Sequence, residues 1–151
     1  MEVVENKREY LGDFIRLNEQ WISTYFEVED VDRALAANPY QVVENGGYIF
    51  SLISDGGVLG VCALFHEGEG VFELARMAVS PEHQGKGYSH PLMQACLAKL
   101  SEVRAKKVFL VSNTKLAAAI SLYEKYGFKT VFQGKHPTYS RANIVMERHV
   151  S

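Results

Sequence analysis

The chain has no surplus of positive charge: 16 Lys and Arg stand against 18 Asp and Glu in 151 residues. A nucleic-acid binder generally carries a basic excess to neutralise phosphates, so no nucleic-acid partner is expected. No apolar run approaches the roughly 20 residues that a membrane-spanning helix needs. The opening MEVVENKREY has neither the basic start nor the apolar middle of a secretory leader. Cysteine is scarce. Cys62 and Cys96 both sit in apolar stretches without a CxxC pair, and read as reduced core residues of a cytoplasmic protein. The histidines at 66, 83, 90, 136 and 149 share no helix at ligand spacing, so no metal is expected. Repeats, linkers and low-complexity segments are absent too. One domain over 1–151 follows, and with 47% hydrophobic residues it can bury a real core.

What is present is periodic. Glu2 to Glu5 is a possible edge strand. From Lys7 to about Tyr25, apolar residues such as Leu11, Phe14, Ile15, Trp21 and Ile22 recur at three- and four-residue spacing, which predicts an amphipathic helix. Glu27 to Asn45 predicts two short helices broken at Asn38-Pro39. Its acids, Glu27, Glu29, Asp30 and Asp32, either complement a helix dipole or line a pocket for a cationic amine. Strands are expected at Tyr48 to Ser54 and Val58 to Phe65 around Asp55-Gly56-Gly57, a hairpin signal, and at Val71 to Val79. A helix follows from Lys86 or Gly87 to about Val103. Lys107 to Val111 reads as a strand buried on both faces. A helix through Leu116 and Tyr123 ends at Gly127, and strands at Lys129 to Phe132 and Ala142 to Arg148 close the chain. The order is that of an α+β sheet, mostly antiparallel, with helices on its faces.

The informative stretch is VFELARMAVSPEHQGKGYSHPLMQACLAKL, Val71 to Leu100. It predicts a strand, a corner at Pro81, a glycine-bearing turn and a helix. Gly85 and Gly87 let the backbone approach a ligand, and the helix behind them aims free N–H groups and its positive end at the turn. This is an anion site in outline. It lacks the Gly-Lys-Ser/Thr ending of a Walker loop, and its strand belongs to a meander rather than to a dinucleotide-binding βαβ unit.

Val79 to Ser89, followed by Leu92-Met93, resembles the acyl-CoA loop of the GNAT superfamily of N-acetyltransferases. That loop reads Gln or Arg, two residues, Gly, one residue, Gly or Ala. Gln84, Gly87 and Ser89 fall on its fixed positions, Ser89 replacing the usual Gly or Ala. A second block, Val108 to Val111, Asn113, Ala119 and Leu122-Tyr123-Glu124-Lys125-Tyr126-Gly127-Phe128, is similar to the family's strand–Asn–helix signature. The likeness runs from about Tyr48 to the C-terminus. The chain also looks like the acetyltransferase half of bacterial winged-helix-regulator fusions.

The resemblance implies a GNAT fold with a V-shaped splay between the fourth and fifth strands. It implies acetyl-CoA as co-substrate, its pyrophosphate held by Gly85, Lys86, Gly87, Tyr88 and Ser89. The pantetheine arm would lie along Met77, Ala78 and Val79 as an added strand and touch Asn113, whose alternative role is a helix cap. Glu73 sits where the histone-acetylating branch keeps its base, and would take the proton of the attacking amine. Otherwise it is an outward-facing acid. Tyr123 falls on the position of the acid that protonates the leaving thiolate, or is a core tyrosine. Arg76, by strand alternation, faces away from Glu73, as a solvated charge or a pocket residue.

The acceptor side is less legible. Trp21 and Tyr25, with Phe26, wall a pocket or belong to the core. Tyr139 and Arg141 precede the last strand, where the family often closes over its substrate, and Arg141 suits a carboxylate. The expected function is acetyl transfer to a primary amine by direct attack, in a monomer or homodimer. The alternatives are a GNAT-like acyl-CoA-binding or sensing module without turnover, and a dedicated protein acetyltransferase.

Overall fold

A computed structural model describes residues 1–137 and 140–150. Seven strands form one sheet: β1 (Glu2–Glu5), β2 (Tyr48–Ser54), β3 (Gly57–Gly68), β4 (Val71–Val79), β5 (Lys107–Ser112), β6 (Lys129–Gln133) and β7 (Ile144–His149). Their spatial order is β1-β2-β3-β4-β5-β7-β6. Neighbours run antiparallel except β4 and β5, which run parallel. The helices are α1 (Leu11–Tyr25), α2 (Asp30–Ala37), α3 (Gln41–Glu44), α4 (Ser89–Glu102) and α5 (Ala117–Lys125). None of the helices among the described residues is long and apolar enough to cross a membrane.

Both faces of the sheet centre are covered, and the sequence of β3 shows it. Its run Val61-Cys62-Ala63-Leu64 is fully buried, alternate residues entering opposite cores. Cys62 and Leu64 meet Leu92, Met93, Cys96 and Leu100 of α4. Val61 and Ala63 meet Phe14 and Leu17 of α1. Cys62 and Cys96 are free thiols in the first of these cores, their Sγ atoms 3.1 Å apart. Helix α4 starts at Ser89, two or three residues later than expected. Pro91 is its third residue, where a missing N–H breaks no helical bond.

Two irregularities in β4 make the site. First, β4 pairs with β5 at Val71↔Lys107, Phe72↔Val108 and Glu73↔Phe109, and at no later position among the described residues. Beyond Glu73, β4 stays with β3 and β5 with β7, so the sheet opens like a V. This is the splay of the GNAT fold. It corrects the reading of Lys107 to Val111 as buried on both faces: Val108 and Leu110 are buried, but Phe109 and Val111 are half-buried because that face fronts the opening.

Second, β4 carries a bulge. Ala75 pairs with Ala63 and Ala78 with Val61, so β4 needs three steps where β3 needs two. Arg76 takes φ +63°, a left-handed conformation uncommon away from glycine. The extra residue shifts the alternation of side chains. Leu74 faces the α4 core while Ala78 faces the α1 core, although an unbroken strand would put both on one side.

Candidate active site

The V opens onto a cavity of about 530 Å³. Helix α1 brings Trp21 and Tyr25 to its wall, β4 brings Glu73, Met77, Ala78 and Val79, and α5 brings Tyr123. The first turn of α5 is Ala117-Ala118-Ala119, whose small side chains leave the space open. Trp21 packs on Tyr25 and Phe26 at ring-centroid distances of 5.4 and 5.9 Å. Lys115 Nζ lies 4.0 Å from the centroid of the Phe26 ring and donates to the Tyr25 carbonyl oxygen at 3.1 Å. These contacts tie the end of α1 to the start of α5 at the cavity wall.

The loop between β4 and α4 forms one end. Gln84 Nε2 donates to the Val79 carbonyl oxygen at 3.3 Å, which folds the loop back on its strand. Gly85 and Gly87 take φ +78° and +77°. A Cβ on Gly85 would meet nothing within 4 Å, so glycine is required there for conformation, not for room. No side chain caps the N-terminus of α4 and no acid stands in its first turn, so its N–H groups and dipole are left for an anion. Gln84 and Ser89 line the cavity. Gly85, Lys86, Gly87 and Tyr88 lie on the loop beside it, and Tyr88 packs against the core.

Glu73 sits at the point where β4 and β5 part. It is 7% exposed. It borders both the first cavity and a second, of about 560 Å³, between β3, β5 and helices α2 and α3. Burial first, then the negative charge of Glu67, raise its pKa against the opposing charge of Arg76, to about 7. A carboxyl group that titrates near neutrality, placed between two cavities, can accept a proton and give it up again.

Arg76 was expected on the opposite face. The bulge turns it to the same side as Glu73, and both border both cavities. Its Nη1 donates to Asp32 Oδ1 at 2.6 Å. Asp32 also receives two bonds from Arg141, Nη1 to Oδ2 at 2.7 Å and Nη2 to Oδ1 at 2.8 Å. Arg141 Nη1 further donates to Glu29 Oε2 at 3.1 Å. Asp32 is only 3% exposed. Burial alone would raise its pKa, but bonds from Arg141 and the Glu29 backbone and the charge of Arg76 outweigh that and hold it at about 2.

The acids after Tyr25 therefore serve a third purpose besides the two expected ones. Glu29 and Asp32 form a reciprocal cap on α2 and also hold two arginines. The carboxylate expected for Arg141 is the protein's own. Sequence reasoning missed Asp32 as a buried counter-ion. The spacing of Glu29 and Asp32 signals a helix start, but nothing in it signals the arginines, which lie 44 and 109 residues away.

Tyr123 lines the first cavity and packs against Phe128, ring centroids 6.1 Å apart. Burial, with the nearby Cys62, pushes its phenol up to about 12, so it keeps its proton at every ordinary pH. Asn113 also lines this cavity. Its amide donates to the Arg141 carbonyl oxygen at 2.8 Å and accepts from the Lys115 N–H at 2.9 Å, so both ends already have partners. Tyr139 lies outside the described residues.

A mostly antiparallel sheet that forks at its one parallel pair among the described residues, with a glycine-bearing loop leading into a helix beside the fork, is the GNAT fold. Residues 14–128 match the acetyltransferase (GNAT) family, and the chain belongs to that family. Solved structures agree on the fold. A GNAT-family acetyltransferase from Staphylococcus aureus Mu50 superposes with a TM-score of 0.88 at 16% identity, covering 99% of both chains. The phosphinothricin acetyltransferase of Sinorhizobium meliloti, solved in complex with AcCoA, gives 0.78 at 16% identity, over 100% of this chain and 90% of that one. The ribosomal-protein-S18-alanine N-acetyltransferase of Escherichia coli gives 0.76 at 20% identity, over 99% and 93%.

Proposed function

We propose that the protein transfers an acetyl group from acetyl-CoA to a primary amine by direct attack, without an acyl-enzyme intermediate. The observation that carries this is Glu73: a buried carboxyl with its pKa raised to about 7, bordering both cavities where β4 and β5 part. Acetyl-CoA supplies the activated acyl group; the chain supplies the rest. The loop N–H groups from Gly85 to Ser89 and the start of α4 hold the pyrophosphate. Beyond Glu73 the β4 edge facing β5 is unpaired, so Met77, Ala78 and Val79 offer main-chain groups to an extended arm and an N–H to the thioester carbonyl. Glu73 takes a proton from the amine, directly or through water. Tyr123 gives one to the departing thiolate. Neither Cys62 nor Cys96 is the nucleophile, because both are fully buried.

Release of free thiol from acetyl-CoA with a panel of amines tests this reading. Tight CoA binding with no turnover on any amine would establish a binding or sensing module instead. Turnover on peptides alone would establish a protein acetyltransferase.

Two variants probe the halves of the site. Gly87→Val forces a β-branched residue to φ +77°, which costs about 1–2 kcal/mol or shifts the loop. CoA affinity should fall about tenfold by calorimetry, with the amine KM little changed. Tyr123→Phe should lower kcat by roughly tenfold or more while leaving the CoA Kd within about twofold. An unchanged kcat would remove Tyr123 from the chemistry.

A further inference from the structure

The second cavity carries information about the acceptor amine, and the inference drawn from it rests on the amine-acetylation reading above. Glu73 borders this cavity; it is nine-tenths buried and has no hydrogen-bond partner among the described residues. A second carboxylate stands on the neighbouring strand. Phe65 of β3 lies directly opposite Glu73, so the two share a face. Glu67, two residues further along β3, also borders the cavity. Glu67 sits at a bulge of the β3–β4 pairing, between His66 and Gly68, and its negative charge acts on Glu73, so the two carboxylates are near neighbours at this cavity. The apolar part of the wall includes Phe65, Phe109, Leu35 and Val31, and Asn38, Gln41 and Asn45 add neutral polar groups.

Positive charge in the same region is already engaged. Arg76 holds Asp32 at 2.6 Å, and Arg141 holds Asp32 and Glu29. Both guanidiniums are thus already paired with carboxylates of the protein, which weakens their pull on an acceptor carboxylate. The other titratable groups facing the cavity are His66, whose Nδ1 lies 3.1 Å from the Asn45 carbonyl oxygen, and His136. Among the described residues the cavity thus offers two acids and a partly apolar wall, and the Arg76 guanidinium that borders it is tied to Asp32.

We infer that the acceptor is a short α,ω-diamine, or an amine with a second cationic group at that spacing, bound with its reacting nitrogen at Glu73 and its far ammonium at Glu67. Its methylenes lie against Phe65 and Phe109. The reacting ammonium loses one proton to Glu73 and its nitrogen attacks the thioester carbon; the C–S bond breaks, the thiolate takes the proton of Tyr123, and the second proton of the nitrogen restores the Tyr123 phenol, which leaves an acetamide. The far ammonium stays charged throughout.

The test uses the whole chain, acetyl-CoA and three acceptors of one length that differ only at the far end: cadaverine (cationic), pentylamine (neutral) and δ-aminovalerate (anionic). A lysine-containing peptide is the fourth. Cadaverine should exceed pentylamine in kcat/KM by about tenfold, the size of one partly shielded ion pair, and pentylamine should exceed δ-aminovalerate. Glu67→Gln should bring the cadaverine-to-pentylamine ratio close to one, and Glu67→Lys should reverse the order of the three. Glu67 is exposed, so both variants should fold, and CoA binding checks that they do. The inference is overturned if pentylamine or δ-aminovalerate equals cadaverine, if the peptide is the best acceptor, or if Glu67→Gln leaves the ratio unchanged. Absence of turnover on every amine, with CoA bound, would overturn the amine-acetylation reading itself.

Discussion

Glu73→Gln is expected to lower kcat/KM by about a hundredfold or more near pH 7, the usual loss when a general base is removed. An ordinary alkylamine has a pKa near ~10.4, so at neutral pH almost all of it reaches the site protonated. The native profile should rise with pH through about 7 as Glu73 ionises. The variant should lack that limb, and its deficit should narrow at high pH, where the amine arrives already neutral. A loss that is the same at every pH would assign Glu73 a packing role.

The same substitution should stabilise the protein, and the sign follows from the raised pKa. Folded, Glu73 keeps its proton up to about 7; unfolded, it loses it near 4.5. The folded state therefore binds the proton more tightly. Stability from this group is intact below 4.5 and is lost as pH rises towards 7, by about 3 kcal/mol at most. Glutamine stays neutral and avoids this loss. Thermal melts near pH 8 should show Glu73→Gln several degrees above the native chain, and melts near pH 4 should show no gain. Lower activity with higher stability is the signature of a buried group kept for chemistry.

Asp32→Ala is expected to have the largest effect on stability. Its carboxylate is the meeting point of two guanidiniums, with side-chain exposures of 2% for Asp32, 6% for Arg76 and 13% for Arg141. Removing it leaves two shielded cations facing each other without the carboxylate that joins them. Breaking a buried pair this way costs about 3–5 kcal/mol, or roughly 10 °C in Tm for a domain of this size. Because the pKa of Asp32 is depressed to about 2, its stabilising contribution is present above 3.8 and disappears as pH falls through 2. The native-to-variant difference should shrink over that window. A Tm within about 2 °C of native at neutral pH would show that the network contributes little. Activity should fall as well, because Asp32 anchors α2 to the bulge of β4 and to Arg141, and both border the first cavity.

Glu73 stands out in the chain because it is an acid inside an apolar strand that leads into a glycine turn. Its burial was not legible, since an acid at a period-two position reads equally well as facing solvent. Arg76 was assigned to the wrong face for a definite reason. Alternation assumes an unbroken ladder, and one extra residue in β4 shifts every later side chain to the other side. No glycine marks that bulge; Arg76 itself takes the left-handed conformation. Asp32 was legible as part of a helix start and not as a counter-ion.

The residue order alone determined the elements and their sequence, the glycine-bearing turn at Gly85 and Gly87, and the family, because those depend on local periodicity and on turn residues with required φ values. Only the tertiary structure decided where β4 parts from β5, which face Arg76 takes, and that the arginines beside the site are bound by Asp32 and Glu29. Those outcomes depend on pairing between residues far apart in the chain. Strand register and the burial of charge arise from the packed sheet as a whole, so no window of sequence contains them.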